Sequence, residues 1–109
     1  MKFNQGIPRY YWLGVGLILI SIISPASWAA DPQVGGRLYT KNCKTCHGFS
    51  GIPQMPGLPD FTRADALIRS DNDLLQLIRT GSGMMPAYRG LLSDREILDV
   101  IAYLRTLRR

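Results

Sequence analysis

The sequence has very few residues of the kinds that bind metals or act as nucleophilic catalysts. Its 109 residues include one histidine and two cysteines, and all three lie within the segment 43–47. A zinc site with four Cys or His ligands therefore cannot form within one chain. Two cysteines cannot form a framework of several disulfides. A catalytic Ser-His or Cys-His pair would use the single histidine and leave no other histidine free.

The fraction of charged residues is also moderate, and the fraction of apolar residues is that of a globular chain. Apolar residues make up 46% of the sequence and charged residues 19%, which excludes both a disordered chain and a continuous membrane bundle. A chain of 109 residues has room for one small domain.

The N-terminus has the three parts of a secretory signal peptide. Lys2 and Arg9 come first, and an apolar run from residue 10 to residue 23 follows them. Ser27 and Ala29 then occupy the −3 and −1 positions of a small-x-small cleavage site. We therefore expect cleavage after Ala29 and export.

The alternative is an uncleaved membrane anchor. Residues 10–30 carry no charge, and about 20 apolar residues are enough to span a bilayer. Pro25 and the small residues after it favour cleavage, so residues 1–29 are predicted to be a leader and residues 30–109 the mature domain, with no stable membrane insertion. A domain of only 80 of the 109 residues usually needs a disulfide, a metal or a cofactor for stability.

The positive charge of the chain does not indicate a nucleic-acid partner. The formal net charge of +5 includes Lys2 and Arg9, and removal of the leader lowers it to +3. Export also separates the mature chain from nucleic acid. Arg105, Arg108 and Arg109 are instead interpreted as a helix end and a solvated tail, where positive charge suits the helix dipole.

Apolar periodicity, capping residues and turn residues predict an all-α fold with about four short helices, long loops and no strand. The first helix begins near Pro32 within residues 31–46. A loop rich in Gly and Pro fills residues 48–61, and a brief helical stretch includes Leu67 and Ile68. The next helix lies between Ser70 and Gly81, with Leu74, Leu75, Leu77 and Ile78 facing inward. Residues 82–92 form another loop. Ser93 and Glu96 make a capping box for the last helix, whose apolar stripe is Ile97, Val100, Ile101 and Leu104.

The segment Cys43-Lys44-Thr45-Cys46-His47 is a C-x-x-C-H motif, which is typical of covalent attachment of c-type haem. Cys43 and Cys46 would form thioethers with the haem vinyl groups, and His47 would bind the iron on one side. A redox disulfide of the C-x-x-C type is the main alternative, but that motif usually accompanies a βαβ pattern, which this sequence lacks. A metal site shared across a dimer has no support in the sequence.

Methionine is the remaining soft donor for the other side of the iron, because the chain has no second histidine. Met55 lies only eight residues after His47, which is too close to reach the opposite haem face comfortably. Met84 and Met85 lie 37 and 38 residues after it, and either of them could be the ligand.

From Gln33 to Leu107 the chain resembles the small single-haem class I cytochromes c of bacteria. Gly35 and Tyr39 match the glycine and the aromatic residue of the family's first helix, and residues 99–104 match its last helix. The segment Met85-Pro86-Ala87-Tyr88 is similar to the family's Met-Pro-Ala-aromatic loop.

This resemblance implies Met85 rather than Met84 as the iron ligand, and Tyr103 packed against Gly35. It also implies that the carbonyl of Pro59 accepts a hydrogen bond from the second ring nitrogen of His47, although Pro53 and Pro56 compete for that position in the register. The short segment between His47 and Met85 implies a more exposed haem edge than in the longer mitochondrial type. The lysine-rich docking face of that type is absent here.

With both axial positions filled by protein, the expected function is that of a non-enzymatic electron carrier that binds redox proteins transiently. The alternative is a dedicated cytochrome subunit of a periplasmic dehydrogenase or oxidase complex. A peroxidase-like enzyme would require the loss of Met85 from the iron.

Overall fold

The computed structural model describes residues 28–109. Its helices are α1 (Pro32–Asn42), α2 (Lys44–His47), a short 3₁₀ helix (Ala64–Leu67), α3 (Asp71–Thr80) and α4 (Asp94–Thr106). Isolated β-bridges are the only β-structure in this part of the chain, so the all-α prediction is confirmed. None of these helices is long and apolar enough to cross a membrane. Of the predicted leader, only Trp28 and Ala29 lie within the described residues.

Each of the three longer helices begins at a side chain that caps its first turn. Asp31 accepts hydrogen bonds from the first backbone amides of α1, and Ser70 does the same for α3. Ser93 and Glu96 form the predicted capping box of α4. These caps satisfy amides that have no partner inside a helix, and each contributes about 1 kcal/mol.

The first predicted helix is divided in two. Residues 31–46 were expected to form one helix, whereas the structure breaks it at Cys43, whose φ of −121° and ψ of −31° lie outside the helical region. The amide of Cys43 still donates to the carbonyl of Tyr39, and the carbonyl of Cys43 accepts from the amide of His47. The break gives the motif a helical turn of its own.

The backbones of α1 and α4 approach each other closely at Gly35. A Cβ atom at Gly35 would collide with the carbonyl oxygen of Asp99. The expectation that Tyr103 packs against Gly35 is therefore wrong. The Tyr103 ring lies over Gly36, where a Cβ would be 3.1 Å from Cδ2, and its centroid is 5.2 Å from that of Tyr39. A side chain cannot fill the space at Gly35 because another backbone already does.

Apolar side chains from α1, α3 and α4 form one core. Ile97 and Ile101 are completely buried, and Tyr39 of α1 is 1% exposed. The predicted stripe of α4 is confirmed in full, but Leu77 of α3 is only half-buried. The other core residues are Phe61, Leu67, Leu74, Leu75, Ile78, Tyr88, Val100 and Leu104.

Two arginines of α4 bind backbone carbonyls. Arg105 lies in the last turn of α4, as expected, and it also donates to the carbonyls of Leu67 and Arg69 and to the carboxylate of Asp71. It therefore joins the end of α4 to the start of α3. Arg95 donates to the carbonyls of Trp28 and Ala29 and lies 3.3 Å from the buried Asp99 carboxylate.

We expect Gly35→Ala to destabilise the protein by about 2 kcal/mol or more, because a Cβ there pushes α1 away from the α4 backbone. Gly36→Ala is the matched control. Its Cβ meets only the Tyr103 ring, which can shift, and alanine favours a helix by about 1 kcal/mol over glycine. Guanidinium unfolding of the two haem-loaded variants measures the difference, and equal losses of stability would contradict this account.

Candidate functional site

The three motif residues lie together at the edge of a cavity of about 130 Å³. Cys43 is half-buried and packs against the core, whereas Cys46 is exposed. Burial, together with the neighbouring Cys46, raises the pKa of the Cys43 thiol to about 11. The two cysteines therefore line the same cavity, one of them half-buried and the other exposed.

His47 has the environment of a neutral metal ligand. Its ring stacks on Phe61 with a centroid separation of 4.8 Å. Burial lowers the pKa of its imidazole, which favours the neutral form that binds metals. Its Nδ1 atom is buried and has no hydrogen-bond partner among residues 28–109. A neutral imidazole and two free thiols that line one cavity fit a site built for a covalently attached haem.

Backbone bonds fold the loop after the motif back over it. The amide of Gln54 donates to the carbonyl of Cys46, and the amide of Phe61 donates to that of Gly51. Tyr39 adds a side-chain contact, since its hydroxyl donates to the carbonyl of Gly48 at 2.6 Å. Burial raises the pKa of Tyr39 to about 12, so it remains a donor at physiological pH.

Met85 and Met84 occupy different environments. Met85 packs against the core and borders two cavities. One is the cavity of about 130 Å³ beside the motif, called here the main cavity of the site, and the other is a smaller one of about 30 Å³ that also includes His47. Met84 borders only the main cavity and is 83% exposed. The position of Met85 comes from paired backbone hydrogen bonds with Ser82 and from Gly81, where φ is +73° and a Cβ would be 2.6 Å from the Met85 carbonyl.

Tyr88 is a contributor that the sequence reasoning missed. It was identified only as the aromatic residue of a motif, but its hydroxyl donates to the carbonyl of Asn42 at 2.8 Å. Its amide donates to the carbonyl of Ile78. The ring is buried and borders both cavities. Tyr88 thus joins the loop 82–92, which carries both methionines and is called here the methionine loop, to the end of α1, one residue before Cys43.

Pro59 does not lie beside His47 as the resemblance implies. It is exposed and borders neither cavity, and the hydrogen bond from Nδ1 of His47 to its carbonyl is not formed. Pro56, one of the competing prolines, does line the main cavity together with Met55. The role of Pro59 stays a prediction for the haem-bound chain.

Comparisons with known proteins agree on one family. Residues 30–104 match the sequence family described as cytochrome c oxidase, cbb3-type, subunit III. The chain is 30% identical over 93 residues to cytochrome c6 of Thermosynechococcus vestitus, which covers 82% of this chain and 81% of that relative. It is 32% identical over 87 residues to the cbb3-type cytochrome c oxidase subunit FixP of Bradyrhizobium sp., covering 76% of this chain and 30% of that subunit.

Solved structures show the same likeness. The c-type cytochrome KustC0563 superposes with a TM-score of 0.63 at 28% identity, covering 69% of this chain and 98% of that one. Cytochrome c6 from the diatom Phaeodactylum tricornutum superposes with a TM-score of 0.62 at 26% identity, covering 71% and 93%.

We expect the chain without its haem to lack a cooperative fold. Without the haem, the cavity leaves the apolar side chains around it without packing partners. Cys43→Ala/Cys46→Ala prevents covalent attachment, and its circular dichroism should show reduced helix content and no sharp melting transition. The haem-loaded wild type is the control. Native-like helicity with a cooperative transition in the variant would contradict the expectation.

Proposed function

The chain belongs to the small single-haem class I cytochromes c, and we propose that it carries electrons with His47 and Met85 as the two axial ligands of its iron. Membership of this family brings one covalently attached haem c. Bound haem c supplies a reversible one-electron Fe(III)/Fe(II) couple. The residues around the site hold that group in place and restrict access to it.

Attachment and the first axial position are assigned to the C-x-x-C-H motif. The sulfurs of Cys43 and Cys46 would form the two thioethers, and the neutral imidazole of His47 would bind the iron. Stacking on Phe61 limits rotation of the His47 ring. The Tyr39 hydroxyl donates a hydrogen bond to the carbonyl of Gly48, the residue after His47. Fixed ligands suit an iron that must keep the same coordination in both oxidation states.

One observation carries the assignment of the second axial position, namely that Met85 and His47 border the same inner cavity whereas Met84 does not. A thioether opposite an imidazole raises the reduction potential relative to two histidines. If His47 and Met85 both bind the iron, substrates and dioxygen would have no open site on it. This coordination supports an electron carrier rather than an enzyme.

The proposed setting is the bacterial periplasm, reached through the leader in residues 1–29, with transient donor and acceptor proteins as partners. A second function is favoured by the match to the cbb3-type subunit family and by the similarity to FixP. In that case the chain is a dedicated cytochrome subunit of a dehydrogenase or oxidase complex. Purification of the untagged protein from periplasm separates the two, since a free carrier elutes alone and a subunit elutes with its complex.

The two methionines provide the test of the closed coordination. Met85→Ala should abolish the weak charge-transfer band that a thioether ligand gives ferric low-spin haem, lower the reduction potential, and allow ferrous haem to bind carbon monoxide. Met84→Ala is the matched control and should keep the band and exclude carbon monoxide, because its side chain is exposed. Loss of the band in Met84→Ala with retention in Met85→Ala would refute the assignment.

A second test concerns Tyr88 as a residue that positions Met85. Tyr88→Phe removes only the hydroxyl that reaches Asn42, and the lost hydrogen bond is worth about 1 kcal/mol. We expect the thioether band of this variant to disappear at a lower guanidinium concentration than in the wild type. Tyr103→Phe is the control, since among the tyrosine hydroxyls of residues 28–109 those of Tyr39 and Tyr88 donate hydrogen bonds and that of Tyr103 does not. An unchanged band midpoint in Tyr88→Phe would show that the contact does not support the methionine loop.

A further inference from the structure

The residues just before α1 are bound to α4 by contacts that the haem site does not require. Arg95, in the first turn of α4, donates to the carbonyl of Trp28 at 3.0 Å and to that of Ala29 at 2.7 Å. The centroid of the Trp28 ring lies 6.0 Å from the same guanidinium. One planar guanidinium therefore binds two successive carbonyls, a geometry that the single ammonium of lysine does not reproduce. We call this arrangement of Arg95, Trp28 and Ala29 the Arg95 clasp.

The carboxylate of Asp99 binds both the clasp and the backbone that follows it. This residue is buried, and its carboxylate lies 3.3 Å from Nε of Arg95. The same oxygen accepts a hydrogen bond from the amide of Asp31 at 2.7 Å. Asp31 in turn caps α1 by accepting from the amides of Gln33 and Val34. Backbone groups on both sides of residue 30 are therefore bound to α4 or to the start of α1.

The peptide bond between Ala29 and Ala30 lies inside this bound segment, and it is the predicted point of leader cleavage. Hydrolysis of that bond consumes one water, breaks the C–N bond, and leaves a carboxylate on Ala29 and an amine on Ala30. The protease has to bind the flanking residues in its own cleft and stabilise the oxyanion that forms on the Ala29 carbonyl. In the folded domain Arg95 already occupies that oxygen, and α1 begins three residues later at Pro32. The bond becomes accessible only when residues 28–31 leave α4.

The stability of this segment determines how fast the folded chain can be cut. When a segment opens and closes faster than a protease cuts it, the rate of cleavage follows the fraction of molecules in which the segment is open. Opening here breaks both carbonyl bonds of the clasp and the bond between Asp31 and Asp99. Each of these bonds includes a charged group, and such bonds are stronger than those between neutral groups. The open fraction of the folded domain is therefore small.

We propose that the folded, haem-loaded domain uses the Arg95 clasp to protect the Ala29–Ala30 bond from the peptidase that removes the leader. This inference rests on the leader in the proposed function and is independent of electron transfer. The chain without haem is expected to lack a cooperative fold, so its cleavage site is open. Leader removal therefore precedes haem loading. A chain that receives haem first keeps the uncharged segment 10–30 and stays at the membrane through it.

The full-length chain provides the substrate for the test in two states. One is the precursor loaded with haem in vitro, and the other is the Cys43→Ala/Cys46→Ala precursor, which cannot attach haem. Each is incubated in detergent with purified bacterial leader peptidase. We expect the haem-free precursor to be cut after Ala29 and the loaded precursor to be cut at least about tenfold more slowly. Mass spectrometry of the new N-terminus identifies the bond, and haem staining of a gel follows the loaded chain.

Matched variants of the loaded precursor assign the protection to the clasp. Arg95→Gln should raise the rate of cleavage by about fivefold or more, because both carbonyls lose their donor. Arg95→Lys keeps a positive charge beside Asp99, which preserves the fold, and should still raise the rate by about threefold or more. Arg108→Gln removes the same charge from an exposed residue beyond the other end of α4, and it should change the rate by less than about twofold.

A further control separates local opening from unfolding of the whole domain. Tyr88→Phe weakens the fold at the methionine loop and leaves the clasp intact. Its loaded precursor should be cut at the wild-type rate, because opening of residues 28–31 does not involve that loop. The haem absorbance of each variant before digestion shows that the domain is folded.

Four results would overturn the proposal. Equal rates for the loaded and haem-free precursors would show that folding gives no protection. Protection that neither Arg95 variant reduces would exclude the clasp as its cause. Equal acceleration in Tyr88→Phe and Arg95→Gln would show that cleavage follows unfolding of the whole domain. A haem-free precursor that is not cut after Ala29 would refute the leader and the proposal together. The carrier function fails separately, as the absence of a reversible one-electron couple in the loaded protein.

Discussion

The backbone contact between Gly35 of α1 and Asp99 of α4 fixes the helix to which both candidate ligand segments are attached. No side chain separates the two helices there, so α1 cannot move without disrupting α4. Tyr39, one turn after Gly35, holds the end of the haem motif through the carbonyl of Gly48. Asn42, at the end of α1, accepts the hydrogen bond from Tyr88 in the methionine loop. One helix therefore positions both candidate ligand segments.

Features encoded by neighbouring residues could be predicted from the sequence. The caps at Ser70 and Ser93 and the apolar stripe of α4 depend on residues within one or two turns of each other, and the structure contains them. The break at Cys43 and the contacts of Arg105 were not predictable in this way. They depend on segments that approach only after folding, such as the turn at Leu67 and Arg69 that supplies carbonyls to Arg105.

The same division holds for the site. The C-x-x-C-H motif is contiguous, so its chemistry could be recognised without any knowledge of the fold. The choice of Met85 over Met84 needed a family resemblance, because adjacent methionines have nearly the same reach. Only the structure shows how the Ser82 pairing and Gly81 direct one side chain towards the core and leave the other exposed. The hydroxyl of Tyr88 was overlooked because its acceptor, Asn42, lies 46 residues away.

Both the stability of the site and its function require that the segments carrying the candidate ligands be held rigidly. A one-electron carrier works best when its ligands move little between the two oxidation states, and a domain of this size has too small a core to hold long loops rigidly by apolar packing alone. Hydrogen bonds from two buried tyrosines hold these segments in place without requiring additional residues. Tyr39 restrains the segment after His47, and Tyr88 restrains the segment after Met85. Both bonds end on backbone carbonyls, so they constrain the main chain that carries the candidate ligands rather than another mobile side chain. The loops can therefore remain short.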